Sequence, residues 1–238
     1  MLLDVREVYK FFGGIKALNG VILKVDKGEI RGLIGPNGSG KTTLLNVING
    51  IYKVTKGEIY FENKPIHNLP PYEVAKRGIG RVFQIIKVFK NLTVWENLLV
   101  PAYTNREIYR DQDINEAARE ALEIVGLYRL KDELAKNLSG GQQKLLEFAR
   151  ALMLRPRLML LDEPFAGVHP QIKEKMINVI KQLNNSDNMT FLVVSHDITS
   201  VFNLCSYVSV LFEGRVLCEG EPVEVRGDER VLEAYLGG

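Results

Sequence analysis

Gly35-Pro36-Asn37-Gly38-Ser39-Gly40-Lys41-Thr42-Thr43 fits the GxxxxGK(S/T) spacing of a phosphate-binding loop. Its surroundings decide the match. Glu29-Ile30-Arg31-Gly32-Leu33-Ile34 before it reads as a strand, and Leu44, Leu45, Val47 and Ile48 after it fall on one face of a helix. In a strand, glycine turn and helix start, successive backbone amides converge on phosphate oxygens and the helix N-terminus adds positive potential. Gly35, Asn37, Gly38, Ser39, Gly40 and Thr43 are expected to form that cradle, with Lys41 as a point charge for the β and γ phosphates and Thr42 as a Mg²⁺ ligand.

Outward from the loop, Val21, Leu23 and Val25 alternate with other residues, and Asp26-Lys27-Gly28 is a turn signal before Glu29. The N-terminal part therefore predicts antiparallel strands. Asp113 begins a helix whose apolar face is Ile114, Ala117, Ala118, Ala121, Leu122 and Val125, ending at Gly126. A second helix is predicted from Gln142 to Leu154, with Arg155-Pro156 stopping it. The continuous apolar run Leu158–Leu161 suits a strand covered on both faces. Pro170 starts a helix carrying Ile172, Met176, Val179, Ile180 and Leu183; Asn184 to Asn188 breaks it before the strand Phe191–Val194. Tyr207–Phe212 and Arg215–Glu219 read as a hairpin, and Arg230–Leu236 as a final helix. The fold class is α/β: a P-loop NTPase core with a mixed, largely parallel sheet, an N-terminal antiparallel β subdomain and a helical insertion. The expected division of this single domain is 1–87, then a helical insertion over 88–154, then 155–238.

The 238 residues are 46% hydrophobic and 25% charged, which excludes disorder and a disulfide-stapled miniature. A formal charge of +2 gives no electrostatic case for a nucleic-acid partner. No apolar run approaches the roughly 20 residues of a membrane span. Met1–Arg6 lacks a signal-peptide pattern, so a cytoplasmic location is expected. Cys205 and Cys218 lack metal-ligand spacing and read as reduced, packed thiols, and His67 as a surface residue without a partner.

A triphosphate site needs a second metal anchor and a group to handle water. Asp162-Glu163 ends the apolar strand, where a parallel sheet presents its ligand-binding edge. Asp162 would hold the Mg²⁺ shell and Glu163 would act as general base. Leu138-Ser139-Gly140-Gly141-Gln142 precedes another predicted helix and forms a second anion-binding helix start. With Gln84 in Gly80-Arg81-Val82-Phe83-Gln84 and His196 in Val194-Ser195-His196-Asp197, this ordered set resembles the ATPase subunit of ATP-binding cassette transporters over nearly the whole chain.

The resemblance implies an ATP-hydrolysing dimer of like or unlike cassettes, arranged head to tail, in which Ser139, Gly140, Gly141 and Gln142 of one chain cover ATP on the other. It implies that Phe12 stacks on adenine, that Gln84 senses Mg²⁺ and the attacking water, and that His196 contacts the γ-phosphate and orients Glu163. It implies membrane permease subunits as partners on the cytoplasmic face of the membrane, with a substrate-binding protein in the same system. Gly80–Gln84, Gln142–Arg150 and Ala234-Tyr235-Leu236-Gly237 resemble most the branched-chain, or hydrophobic, amino acid uptake type. A lipopolysaccharide-export ATPase is the alternative reading, since it shares Asp162–Val168. A soluble cassette ATPase of DNA repair or translation would need a coiled coil, zinc module or second cassette, and a metabolic kinase leaves Leu138–Gln142 unexplained. One position departs from the family pattern: His169 stands where an acid or amide precedes Pro170, at a point that communicates between the two ATP sites. An imidazole there is expected to make cross-dimer coupling pH-dependent.

Overall fold

The computed structural model describes residues 1–109 and 113–236. In chain order the elements are β1 (Leu3–Phe12), β2 (Ile15–Val25), β3 (Ile30–Ile34), α1 (Lys41–Ile48), β4 (Lys56–Phe61), β5 (Lys64–Pro65), α2 (Pro71–Lys76) and β6 (Ile79–Val82). Then follow α3 (Val94–Thr104), α4 (Ile114–Ile124), α5 (Gly140–Leu152), β7 (Leu158–Asp162), α6 (Pro170–Asp187), β8 (Thr190–Val194) and α7 (Ile198–Leu204). The chain closes with β9 (Tyr207–Phe212), β10 (Arg215–Gly220), α8 (Pro222–Gly227) and α9 (Glu229–Leu236).

Two sheets share the work. An antiparallel sheet runs β2-β1-β4-β5, and a mixed sheet runs β10-β9-β3-β8-β7-β6, parallel from β9 through β6. Every residue of β3, β6, β7 and β8 is buried, as strands covered on both faces must be. Leu33, Leu44, Leu160 and Leu192 fill the layer toward the antiparallel sheet, while Met159, Phe191, Leu146 and Ile180 fill the layer under the helices. Among the described residues, no helix is long and apolar enough to cross a membrane.

The sheet order matters for chemistry. Because β3, β8, β7 and β6 lie side by side and point the same way, the segments leaving their carboxyl ends meet on one edge. Those segments are the phosphate loop, Ser195-His196, Asp162-Glu163 and Phe83-Gln84.

Three expectations need correction. β3 does not continue the antiparallel pattern of β2: the turn at Asp26–Gly28 carries the chain into the other sheet, where β3 pairs in parallel with β8 and β9. The helix expected from Gln142 starts at Gly140. Ser139 Oγ accepts from the Gln142 amide (3.3 Å) while Gln142 Oε1 accepts from the Ser139 amide (2.9 Å), a reciprocal cap that draws both glycines into the first turn. Helix α6 persists through Asn184 to Asp187 and stops at Asn188, which adopts a left-handed conformation (φ 52°).

One smaller detail also differs. His67 is half-buried, its Nδ1 accepting from the Ile59 amide (3.3 Å), because Ile66 pairs with β4 and draws its neighbour inward. Cys205 is buried and Cys218 half-buried, and both are free thiols. Burial raises the pKa of both, Cys218 to about 11. Gly237 lies outside the described residues.

Candidate nucleotide-binding site

The phosphate loop is built on glycine. Gly35 (φ 151°) and Gly40 (φ 107°) hold backbone conformations that L side chains rarely adopt. A Cβ on Gly35 would lie 2.1 Å from the Leu211 carbonyl, and one on Gly40 would lie 2.5 Å from that of Ala17. Lys41 opens α1 and is buried, its Nζ donating to the carbonyls of Gly35 (2.7 Å) and Pro36 (2.9 Å). Burial lowers its pKa, while Glu163 and Asp162 act in the opposite direction. An ammonium has three donors, so two are spent fixing the loop and the third is left for an anion. The buried Ser39 Oγ has no hydrogen-bond partner among the described residues, a second donor suited to phosphate.

Asp162, at the end of β7, divides its oxygens. Oδ2 accepts from Arg81 Nη2 (2.9 Å), and Oδ1 faces Thr42 Oγ1 (3.4 Å). Arg81 reaches from β6, donates to Asn46 Oδ1 (2.7 Å), and its side chain is only 3% exposed. Burial pulls the guanidinium pKa below its ordinary value and Asp162 pushes it back. A hard divalent cation prefers oxygen donors. The hydroxyl of Thr42, the Oδ1 of Asp162 and the side-chain oxygen of Gln84 supply that chemistry, so the residues fit Mg²⁺.

Glu163 is buried and left-handed (φ 50°), fixed by its amide bonding to the Val194 carbonyl (2.8 Å). Three donors converge on its Oε2: Ser195 Oγ (3.2 Å), the His196 amide (3.2 Å) and His196 Nδ1 (2.8 Å). Oε1 has no hydrogen-bond partner among the described residues. Glu163 and the exposed Gln84 line one cleft of about 440 Å³ with Asn37, Gly38, Gly40, Lys41, Thr42 and Thr43. Ser139, Gly140, Gly141 and Gln142 do not line it; Ser139 and Gly140 are exposed at the start of α5. Phe12 is 40% exposed outside the cleft, edge-on to Tyr52 (5.1 Å), with Lys10 Nζ over its ring. His169 is exposed and caps α6 by accepting from the Gln171 amide (3.4 Å), which requires an unprotonated Nδ1.

Sequence reasoning missed Arg81, Ser195, Tyr52 and two buried charges on α5, Lys144 and Glu147. Arg81 had a legible signal, a cation inside a strand-like run just before Gln84. Burial raises the Glu147 carboxyl pKa to about 7, opposed by the Phe83 amide and Arg150, and its Oε2 has no partner among the described residues. An unfolded glutamate ionises near pH 4.5. Folding therefore holds a proton between those values, and Glu147 lowers stability as pH rises from 4.5 to 7, by at most about 3 kcal/mol. In denaturant unfolding across pH, Glu147→Gln should match the parent protein at pH 4.5 and exceed it by about 1–3 kcal/mol at pH 8. Equal slopes for the two proteins would show that Glu147 takes up no proton on folding.

A phosphate loop after β3, an Asp-Glu pair ending β7 of the same parallel sheet and a histidine seated on the glutamate define a P-loop ATPase. The chain belongs to the ATP-binding cassette transporter family: the ABC transporter model matches residues 18–166. A second model, the branched-chain amino acid ATP-binding cassette transporter, matches residues 215–238. The chain is 40% identical to the probable branched-chain amino acid transport ATP-binding protein LivG of Archaeoglobus fulgidus, over 99% of this chain and 95% of that protein. It is similar to the ADP conformation of the cassette MJ1267 (TM-score 0.88, 39% identity, covering 100% of this chain and 99% of that one). It is similar also to the dimeric bacterial ABC transporter cassette MJ0796 (TM-score 0.83, 33% identity, 93% of this chain and 99% of that one). The chain is thus an ATP-hydrolysing subunit of the ABC type, with the α/β fold expected from its sequence.

Proposed function

We propose that this ATPase drives uptake of branched-chain amino acids from the cytoplasmic face of a membrane, as one half of a head-to-tail cassette dimer bound to permease subunits and served by a substrate-binding protein. The observation that carries the dimer is the separation of the anion-binding parts. The loop, Gln84 and Glu163 share a cleft, while the Ser139–Gly141 turn does not line it and, with Ser139 and Gly140 exposed, is free to cover ATP on a second cassette. Phe12, with Tyr52 beside it, would take the adenine ring.

In the closed dimer, Lys41 directs its remaining N–H at the phosphates. Glu163 Oε1 takes a proton from water as the water oxygen bonds to the γ-phosphorus and the bond to ADP breaks, giving ADP and phosphate. Ser195 and His196 hold the carboxylate by Oε2, and Gln84 aligns the water. Thr42, Asp162 and Gln84 would hold Mg²⁺, which when bound neutralises charge on the β and γ phosphates. Dimer closure and opening would then move the permease.

A groove lined by Phe83, the exposed Phe89, Val100, Pro101, Arg150 and Leu154, with exposed Ile85 nearby in sequence, suits a short permease helix. The match over residues 215–238 favours branched-chain cargo over export of lipopolysaccharide. The test is reconstitution with the permease pair in vesicles: ATP should drive accumulation of radiolabelled leucine in the presence of the binding protein. Stimulated ATPase activity without leucine movement would refute the cargo, and recovery from cells with ribosomes or DNA in place of a membrane partner would refute transport.

A further inference from the structure

Lys144 is 2% exposed and forms no ion pair among the described residues. Its Nζ donates to two backbone carbonyls, those of Glu163 (2.8 Å) and Ala166 (3.1 Å). Burial lowers its pKa, with Glu147, Glu163 and Asp162 opposing. The two carbonyls bound the turn that turns Glu163 left-handed (φ 50°), and the Ala166 amide also donates to the Glu163 carbonyl (3.2 Å). That backbone conformation is costly for a residue other than glycine and persists where surrounding contacts enforce it. Lys144 supplies two of those contacts.

Lys144 stands on α5, little more than a turn beyond the Ser139 cap. One turn further, Glu147 Oε1 accepts from the Phe83 amide (3.4 Å), next to Gln84. The loops carrying Glu163 and Gln84 thus hang from the helix whose first turn faces the other cassette. We propose that Lys144 is a positioning residue for Glu163, transmitting the seating of the Ser139–Gly141 turn to the carboxylate of the same chain's hydrolytic site. This rests on Glu163 being the base, as read above.

A double-mutant cycle on the full chain with Mg-ATP tests it. Lys144→Met should lower kcat about 10- to 100-fold, the usual cost of losing a group that orients a catalytic residue, with KM for ATP within about threefold. Lys144→Arg, which keeps donors and charge, should recover most of the loss. In a Glu163→Gln background Lys144→Met should change the residual rate by less than about twofold, since its target has already been removed. Should Lys144→Met fail to fold, Lys144→Gln is carried through the same cycle. The proposal is overturned if the Lys144 substitution leaves kcat unchanged, if Lys144→Arg is as impaired as Lys144→Met, or if the loss is as large without Glu163 as with it. Glu163→Gln hydrolysing at the parent rate would instead overturn the assignment of the base, whatever Lys144 does.

Discussion

Glu163→Gln should retain ATP binding and lose about 10²- to 10⁴-fold in turnover, the span expected when a general base is removed. The substitution is close to isosteric, and the backbone that fixes the residue, through the Val194 carbonyl and Lys144, is untouched. A carboxamide can still accept at one oxygen from Ser195 and His196, so orientation survives. What disappears is the proton acceptor at Oε1 and the negative charge beside Lys41. Equilibrium nucleotide binding and single-turnover hydrolysis separate the two effects. Binding within a few-fold of the parent with hydrolysis nearly abolished is the expected pair, and unimpaired hydrolysis would remove Glu163 from the chemistry.

Arg81→Met should cost about 3–5 kcal/mol of stability. The arginine and Asp162 side chains are 3% and 2% exposed, so removing one partner leaves a carboxylate buried without its cation. The guanidinium also ties β6 to α1 through Asn46 and lies over the Phe83 ring (4.7 Å). Breaking the pair is the costly step: Arg81→Met combined with Asp162→Asn should regain a large part of the loss, because no charge is then stranded. Denaturant unfolding of the two single variants and the double variant measures this. A loss below about 1 kcal/mol for Arg81→Met would mean that water already reaches Asp162.

The α/β alternation, the phosphate loop, the Asp162-Glu163 strand end and a helix start near Leu138–Gln142 were legible because each is written in local sequence. The glycine spacing is enforced by φ angles and close contacts at Gly35 and Gly40. The buried strands show as unbroken apolar runs. What escaped depends on distant partners. The turn at Asp26–Gly28 looks the same whether the next strand folds back or crosses to another sheet, and only pairing with β8 and β9 settles it. The short helices α2, α7 and α8 span too few turns to show a period. Lys144 and Glu147 occupy a helix that reads as amphipathic, so their charges suggest a solvated face; they are buried because the Glu163 turn and the Phe83 amide come to meet them.

On the proposed head-to-tail dimer no single chain hydrolyses ATP alone, since the Ser139 turn stands outside the cleft it would complete on a second cassette. Hydrolysis rate per chain, measured against protein concentration with sedimentation of the same Mg-ATP samples, tests this most directly. The rate per chain should fall in step with the dimer fraction on dilution. A rate that stays constant where every molecule sediments as a monomer would contradict it.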